Sequence, residues 1–278
     1  MRRLASPVRW IAALAIASAL AACAPLPSAT PAAVAGANTP PQSLLWVGNS
    51  FFYYNNSMHG HVGNLLRATG DRGWRQTSAT ISGSGLNWHD MEAHFMPGGM
   101  GSYSFNAKNE VVFNTGERAL PKVFDAVLMM DCSQCPVHPQ LSALFYETVT
   151  RDAAIVRRHG AEPILFMSWA YQDVPSMTGQ LADAYVKAGT TNATRVVPAG
   201  LAFARSLAQR PDIVLHAADK RHPSLAGTYL AAATVMASVY RISPLGNSYT
   251  AGLPADVAAH LQNVAADTVR EFEAGPRR

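Results

Sequence analysis

Three short apolar runs limit what this chain can fold into. Residues 44–47, 124–130 and 163–169 are apolar runs rather than alternating ones, broken only by Asp125 and Ser168, and each is too short to read as a helix. A strand that is apolar on both faces must be covered on both, as a parallel strand inside an α/β sheet is. Residues 76–81 and 195–197 read as further strands. Helical patterns fill the intervals at 59–68, 141–159, 181–187, 201–209, 224–240 and 255–272. Strands alternating with helices imply a doubly wound parallel sheet with helices on both faces, a three-layer α/β/α sandwich. Residues 86–94 also read as helical, and 96–118 as a Gly/Asn-rich excursion carrying a hairpin near 111–113. Strand order does not follow from the sequence.

The first 22 residues read as a secretory signal. Arg2, Arg3 and Arg9 form a basic start, residues 10–20 an apolar stretch, and Leu20-Ala21-Ala22-Cys23 its end. That ending resembles a bacterial lipobox, which implies lipid on Cys23 and, with Ala24 behind it, an outer-membrane destination. Residues 23–42 are rich in Ala, Pro, Ser and Thr and carry no charge, the composition of a flexible tether. The remaining stretch, 43–278, fits one domain with a sizeable core. Three arginines leave with the signal, so the formal charge of +4 falls to about +1 in residues 23–278. No basic patch interleaved with aromatics remains, which argues against nucleic acid as a partner.

The chemistry concentrates in two places. The first apolar run ends in Gly48-Asn49-Ser50, and a helical pattern resumes near Ser57. A serine at the carboxyl end of a strand and the start of a helix lies where open α/β sheets bind ligands, near unpaired N–H groups that favour a developing oxyanion. Gly48 is expected to allow the sharp turn. Far downstream stands Asp219-Lys220-Arg221-His222-Pro223-Ser224. A serine hydroxyl needs an imidazole to take its proton, and the imidazole needs a partner that fixes its tautomer. Asp219 and His222, three residues apart, can supply both. A histidine merely capping the helix from Ser224 would leave the aspartate unexplained.

With those residues in hand, the chain resembles the SGNH (GDSL-type) hydrolases, with VGNSF as nucleophile block and DKRHPSLAGTYLAA as Asp-x-x-His block. The GNS variant followed by Tyr-Asn-Asn is similar to one bacterial branch of that superfamily. The resemblance implies a flavodoxin-like sandwich of about five strands. It implies Ser50 as nucleophile, His222 as general base and Asp219 as its orienting partner. It also implies an oxyanion hole built from the Ser50 N–H, a glycine N–H after the second strand and an amide after the third. Ile81-Ser82-Gly83-Ser84-Gly85 supplies Gly83, with Gly85 as fallback. The third block departs from Gly-x-Asn-Asp: this chain reads Met129-Met130-Asp131-Cys132-Ser133-Gln134-Cys135. Gln134 then stands for the asparagine, while the glutamine of the GNS branch is replaced by Met130.

Other residues carry weaker signals. Cys132 and Cys135 are readable as a small disulfide or as free thiols; Pro136 and the preceding strand argue against a thioredoxin-like role. His59, His61, His89, His94, His138 and His216 lack the spacing of a metal site and read as surface or capping residues, so neither metal nor cofactor is expected. Trp88 and His89 are candidates for lining a substrate pocket. Phe51 or Tyr53 could shape the acyl site, with at least two residues of the 51–54 cluster expected to pack helix on sheet. The expected activity is hydrolysis of carboxylic esters with short acyl or acetyl groups, on a small ester or an acetylated glycan, with membrane contact only through lipid on Cys23. The alternatives are a non-catalytic envelope lipoprotein that binds glycan or protein, and an O-acyltransferase using the same triad.

Overall fold

A computed structural model describes residues 39–70, 73–96, 102–105, 111–114 and 123–275. The expected signal, Cys23 and nearly all of the tether lie outside these residues, as does much of the 96–118 excursion.

The chain forms β1 (Ser43–Gly48), α1 (Ser50–Tyr53), α2 (Met58–Arg67), β2 (Arg75–Thr80) and an antiparallel hairpin of β3 (Ser102–Phe105) and β4 (Val111–Asn114). Then follow β5 (Ala126–Met129), α3 (Ser142–Arg158), β6 (Glu162–Phe166), α4 (Met177–Thr191), β7 (Arg195–Val197), α5 (Ala199–Gln209), α6 (Leu225–Val239) and α7 (Ala255–Ala274). Five strands pair in the order β2-β1-β5-β6-β7, all parallel. The doubly wound sheet expected from the three apolar runs is therefore present, with strand order supplied by tertiary pairing.

All six residues of β1 are buried, as are all four of β5. Helices α2, α6 and α7 pack together, α3 packs against β6 and α4, and α5 touches both α4 and α6. Helix α6 is apolar on nearly every side and is buried from Ala226 to Met236 without a break. Helices that are apolar all round belong in the interior, and α6 lies between α2, α5 and α7.

Two local expectations change. Residues 86–94 form two separate 3₁₀ turns, Leu86–Trp88 and Ala93–Phe95, instead of one helix. Their polar groups are taken by distant partners: the Leu86 N–H by Asp131, and the His89 ring by Gly48. Gly48 is required by space rather than by its backbone angle. A Cβ there would lie 2.9 Å from the Phe52 ring and 3.2 Å from the Met130 methyl.

Candidate active site

Because the five strands are parallel, their carboxyl ends share one edge of the sheet, and the loops leaving that edge build the site. Val47 of β1 pairs with Met129 of β5 and, on the other side, with Ala79 of β2. Ser50 therefore emerges between the loop after β2 and the loop after β5. It opens its own four-residue helix instead of preceding one at Ser57. Asn49 caps that helix, its side-chain oxygen accepting the Phe51 N–H at 3.2 Å.

Ser50, His222 and Asp219 come together across 172 residues of chain. His222 Nε2 lies 2.8 Å from Ser50 Oγ, and His222 Nδ1 is hydrogen-bonded to the Asp219 carboxylate. The other carboxylate oxygen of Asp219 accepts the N–H groups of Arg221 and His222, both at 3.0 Å. Desolvation works to raise the Asp219 carboxyl, but the His222 ring and these two N–H groups overcome it and hold the group at about 2. The aspartate is thus ionised throughout the neutral range and fixes a proton on Nδ1, leaving Nε2 to accept from serine.

The imidazole is also held by aromatic packing. Tyr54 stacks on it at 4.0 Å between centroids, and Phe51 meets it edge-on at 5.2 Å while stacking on Trp169 on its other side. Phe51 and Phe52 are buried and Tyr53 is 38% exposed, so two of the four aromatics pack helix on sheet as expected. Tyr54 as a support for His222 was not foreseen; its spacing from Ser50, one helical turn on, is the signal that could have found it. Trp88 is 61% exposed on the loop after β2.

Gly83 sits at a positive φ of 70° in the turn closed by the Ser84 N–H on Ile81 O. This turn lies against the nucleophile corner, because Asn49 Nδ2 donates to Ser84 O at 3.0 Å. Gln134 lies on the loop after β5, where its carbonyl accepts the Val137 and His138 N–H groups. Its side chain is exposed and, among the described residues, has no hydrogen-bond partner. Cys132 and Cys135 form a disulfide in this loop.

Three histidines read as surface or capping residues are buried instead: His61, His89 and His216. Each ring nitrogen Nε2 bonds a main-chain carbonyl beside the site. The acceptors are Asn55 O at 2.7 Å, Gly48 O at 2.9 Å and Ala170 O at 3.0 Å. Burial lowers the pKa of His89 and His216, with these carbonyl bonds working the other way. Their role is to staple loops, which residue spacing alone does not reveal. Asp131 with the two cysteines is the one cluster of metal-ligand type among the described residues, and both of its sulfurs are in the disulfide.

The fold, an α/β sandwich with this five-stranded parallel sheet, is similar to that of solved structures of SGNH/GDSL type. A DUF4886 family protein from Bacteroides uniformis matches it at a TM-score of 0.57 and 16% identity, over 82% of this chain and 94% of that one. A protein from Slackia heliotrinireducens assigned to the SGNH hydrolases matches at 0.51 and 21% identity, over 73% of this chain and 99% of that one. A GDSL-like lipase-type protein from Parabacteroides merdae matches at 0.51 and 12% identity, over 70% and 93%. No family model matches the chain, and no curated protein matches it in sequence.

Proposed function

We propose that this protein is an ester hydrolase that works through an acyl-enzyme intermediate on Ser50. The observation that carries the reading is the relay from Ser50 Oγ to His222 Nε2 at 2.8 Å and on to Asp219, at the carboxyl edge of the sheet. In this reading Ser50 Oγ attacks the ester carbonyl while His222 takes its proton. The alcohol leaves with that proton, and the ester carbon stays bonded to Ser50. Water, deprotonated by the same nitrogen, then attacks the acyl-enzyme, releases the acid and restores the serine. The N–H groups of Ser50 and Gly83 are assigned to the oxyanion, with the Gln134 amide as third donor.

The substrate class we assign is short acyl or acetyl esters, on small molecules or on glycans. Transfer of the acyl group to a sugar hydroxyl would use the same residues. The signal ending at Ala22, with lipid on Cys23, supports a place in the cell envelope, at the outer membrane. Turnover of short-chain p-nitrophenyl esters, measured beside Ser50→Ala, tests the mechanism. Equal activity in the two proteins would remove Ser50 from it.

A second reading draws on the third block, which departs from Gly-x-Asn-Asp and leaves the exposed Gln134 side chain without a hydrogen-bond partner among the described residues. It makes the protein a non-catalytic binder of glycan or protein that keeps the fold. A fluorophosphonate probe separates the two, because a binder should not label at Ser50.

A further inference from the structure

The mechanism above gives no part to Asp131, the buried acid on the loop after β5. We infer that Asp131 is a positioning residue whose carboxylate sets the spacing between the nucleophile corner and the post-β2 loop that carries Gly83. This inference rests on the acyl-enzyme reading and deepens it.

Asp131 is only 4% exposed. Its Oδ1 accepts the Leu86 N–H at 2.8 Å, from the post-β2 loop, and the Cys132 N–H at 2.7 Å, from its own. Its main-chain oxygen accepts Asn49 Nδ2 at 3.1 Å, and the same Nδ2 reaches Ser84 O at 3.0 Å. One residue therefore joins three segments: the corner immediately before Ser50, the turn around Gly83 and the disulfide loop. The fit against the post-β2 loop is close, since a Cβ on Gly85 would come within 2.6 Å of Asn87 Oδ1 and 2.9 Å of Asp131 Oδ1.

The chemistry of the group supports a spacing role. Asp131 has no cationic partner among the described residues, and burial raises its carboxyl, with the Leu86 and Cys132 N–H bonds working against that rise. A buried acid without a cation is costly to keep, and an apolar side chain of similar volume would serve packing at least as well. What an apolar residue could not do is terminate two N–H groups from different loops on one oxygen. Oxyanion donors act through distance, and a misplacement of about 1 Å costs roughly a hundredfold in rate. A group that fixes where the Gly83 turn sits should therefore be felt in kcat and little in KM.

The test compares wild type with Asp131→Leu, Asp131→Asn, Gly85→Ala and Ser50→Ala on p-nitrophenyl acetate, with melting temperatures recorded for each. Asp131→Leu removes the acceptor and is expected to lower kcat about tenfold to a hundredfold with KM within about twofold. Asp131→Asn keeps an oxygen acceptor and is expected to recover most of that loss. Gly85→Ala keeps the acid but crowds it together with Asn87, and should reproduce the kcat loss even if Asp131→Leu fails to fold. Fluorophosphonate labelling of Ser50 should slow in the same order. If Asp131→Leu or Gly85→Ala lowers the melting temperature while the folded protein keeps wild-type kcat, or if Asp131→Asn loses as much as Asp131→Leu, the inference is overturned. If wild type and Ser50→Ala turn over equally, the acyl-enzyme reading falls and takes this role with it. An inactive Ser50→Ala beside an unaffected Asp131→Leu removes the role of Asp131 alone.

Discussion

The two loops that face each other across the site are held in different ways. The Asp–His loop hangs from many separate hydrogen bonds to distant segments. His216 pairs with Pro223 across the base of the loop, Trp169 Nε1 donates to Arg221 O at 2.9 Å, and Asn55 Nδ2 donates to Pro223 O at 2.9 Å. The Gln172 N–H reaches Lys220 O at 2.9 Å, and His216 reaches Ala170 O. The loop after β5 adds a covalent link to a smaller set of outward bonds. The Cys132–Cys135 disulfide, the Cys135 N–H on Cys132 Sγ and two N–H groups on Gln134 O lie within it, while Asp131 and Ser133 reach Leu86, Asn49 and Tyr171. Each bond in the first loop contributes on the order of 1 kcal/mol, so no single one is decisive. In the second, a covalent link closes the turn itself, and Asp131 and Ser133 tie that turn to its neighbours. The difference suits their tasks: the first must place an imidazole against a serine 172 residues away, while the second holds a short turn against the nucleophile corner and the post-β2 loop.

That contrast can be broken at four points. The largest effect is expected where the first loop meets chemistry. Asp219→Asn should lower kcat by roughly 10³–10⁴-fold, because the ring loses the partner that fixes its tautomer. The Asp219 side chain is 43% exposed, so the melting temperature should hardly move. Stopped-assay kinetics and a thermal melt on the same sample would check both halves.

Next comes the second loop. Replacing both cysteines with serine should lower kcat about tenfold. Its stability cost should stay below the ~3 kcal/mol expected for a 15-residue disulfide loop, since so short a loop removes little unfolded-state entropy. Two free thiols by non-reducing mass spectrometry in protein produced in the periplasm of an expression host would sink this, as would an unchanged kcat in the double variant.

A smaller effect is expected at Tyr54, which stacks on His222. Aromatic pairs are worth about 0.5–1.5 kcal/mol, so Tyr54→Ala should cost roughly twofold to tenfold in kcat, and Tyr54→Phe should restore it. A Phe variant as slow as Ala would shift the role from the ring to the hydroxyl.

The smallest effect concerns acid. Burial holds His216 below its ordinary 6.5, against the Ala170 carbonyl and the charges of Asp219 and Asp173. As the pH falls through 6.5 the unfolded chain takes the proton first, so stability is present above that value and declines below it. His216 holds the Asp–His loop. The melting temperature should therefore drop between pH 7.5 and 5.5, and His216→Gln should drop by less, by about 2–4 °C per kcal/mol removed. An equal drop in both proteins would show that the acid sensitivity lies elsewhere, His89 being the next group to examine.

Much of the scaffold was legible because it depends on local pattern. Residues 44–47, 124–130 and 163–169 announce buried parallel strands by composition alone, and all three are strands of the sheet at β1, β5 and β6. Ser50 and the Asp219–His222 pair were legible because each depends on spacing along a few residues. Residues 86–94 were misread for the opposite reason. Their periodicity favours a helix, but the Leu86 N–H is taken by an acid 45 positions away and the His89 ring by a carbonyl 41 positions away.

The sequence by itself determined the fold class, since apolar runs of that length must be covered on both faces, and it determined which serine, histidine and aspartate could act together. Tertiary structure decided the strand order and the burial of His61, His89 and His216. It also decided the stacking of Tyr54 on His222 and the reach of Asp131 across three segments. Each of those rests on partners far apart in the chain, where a hydrogen bond or ring contact depends on distances that no local pattern encodes.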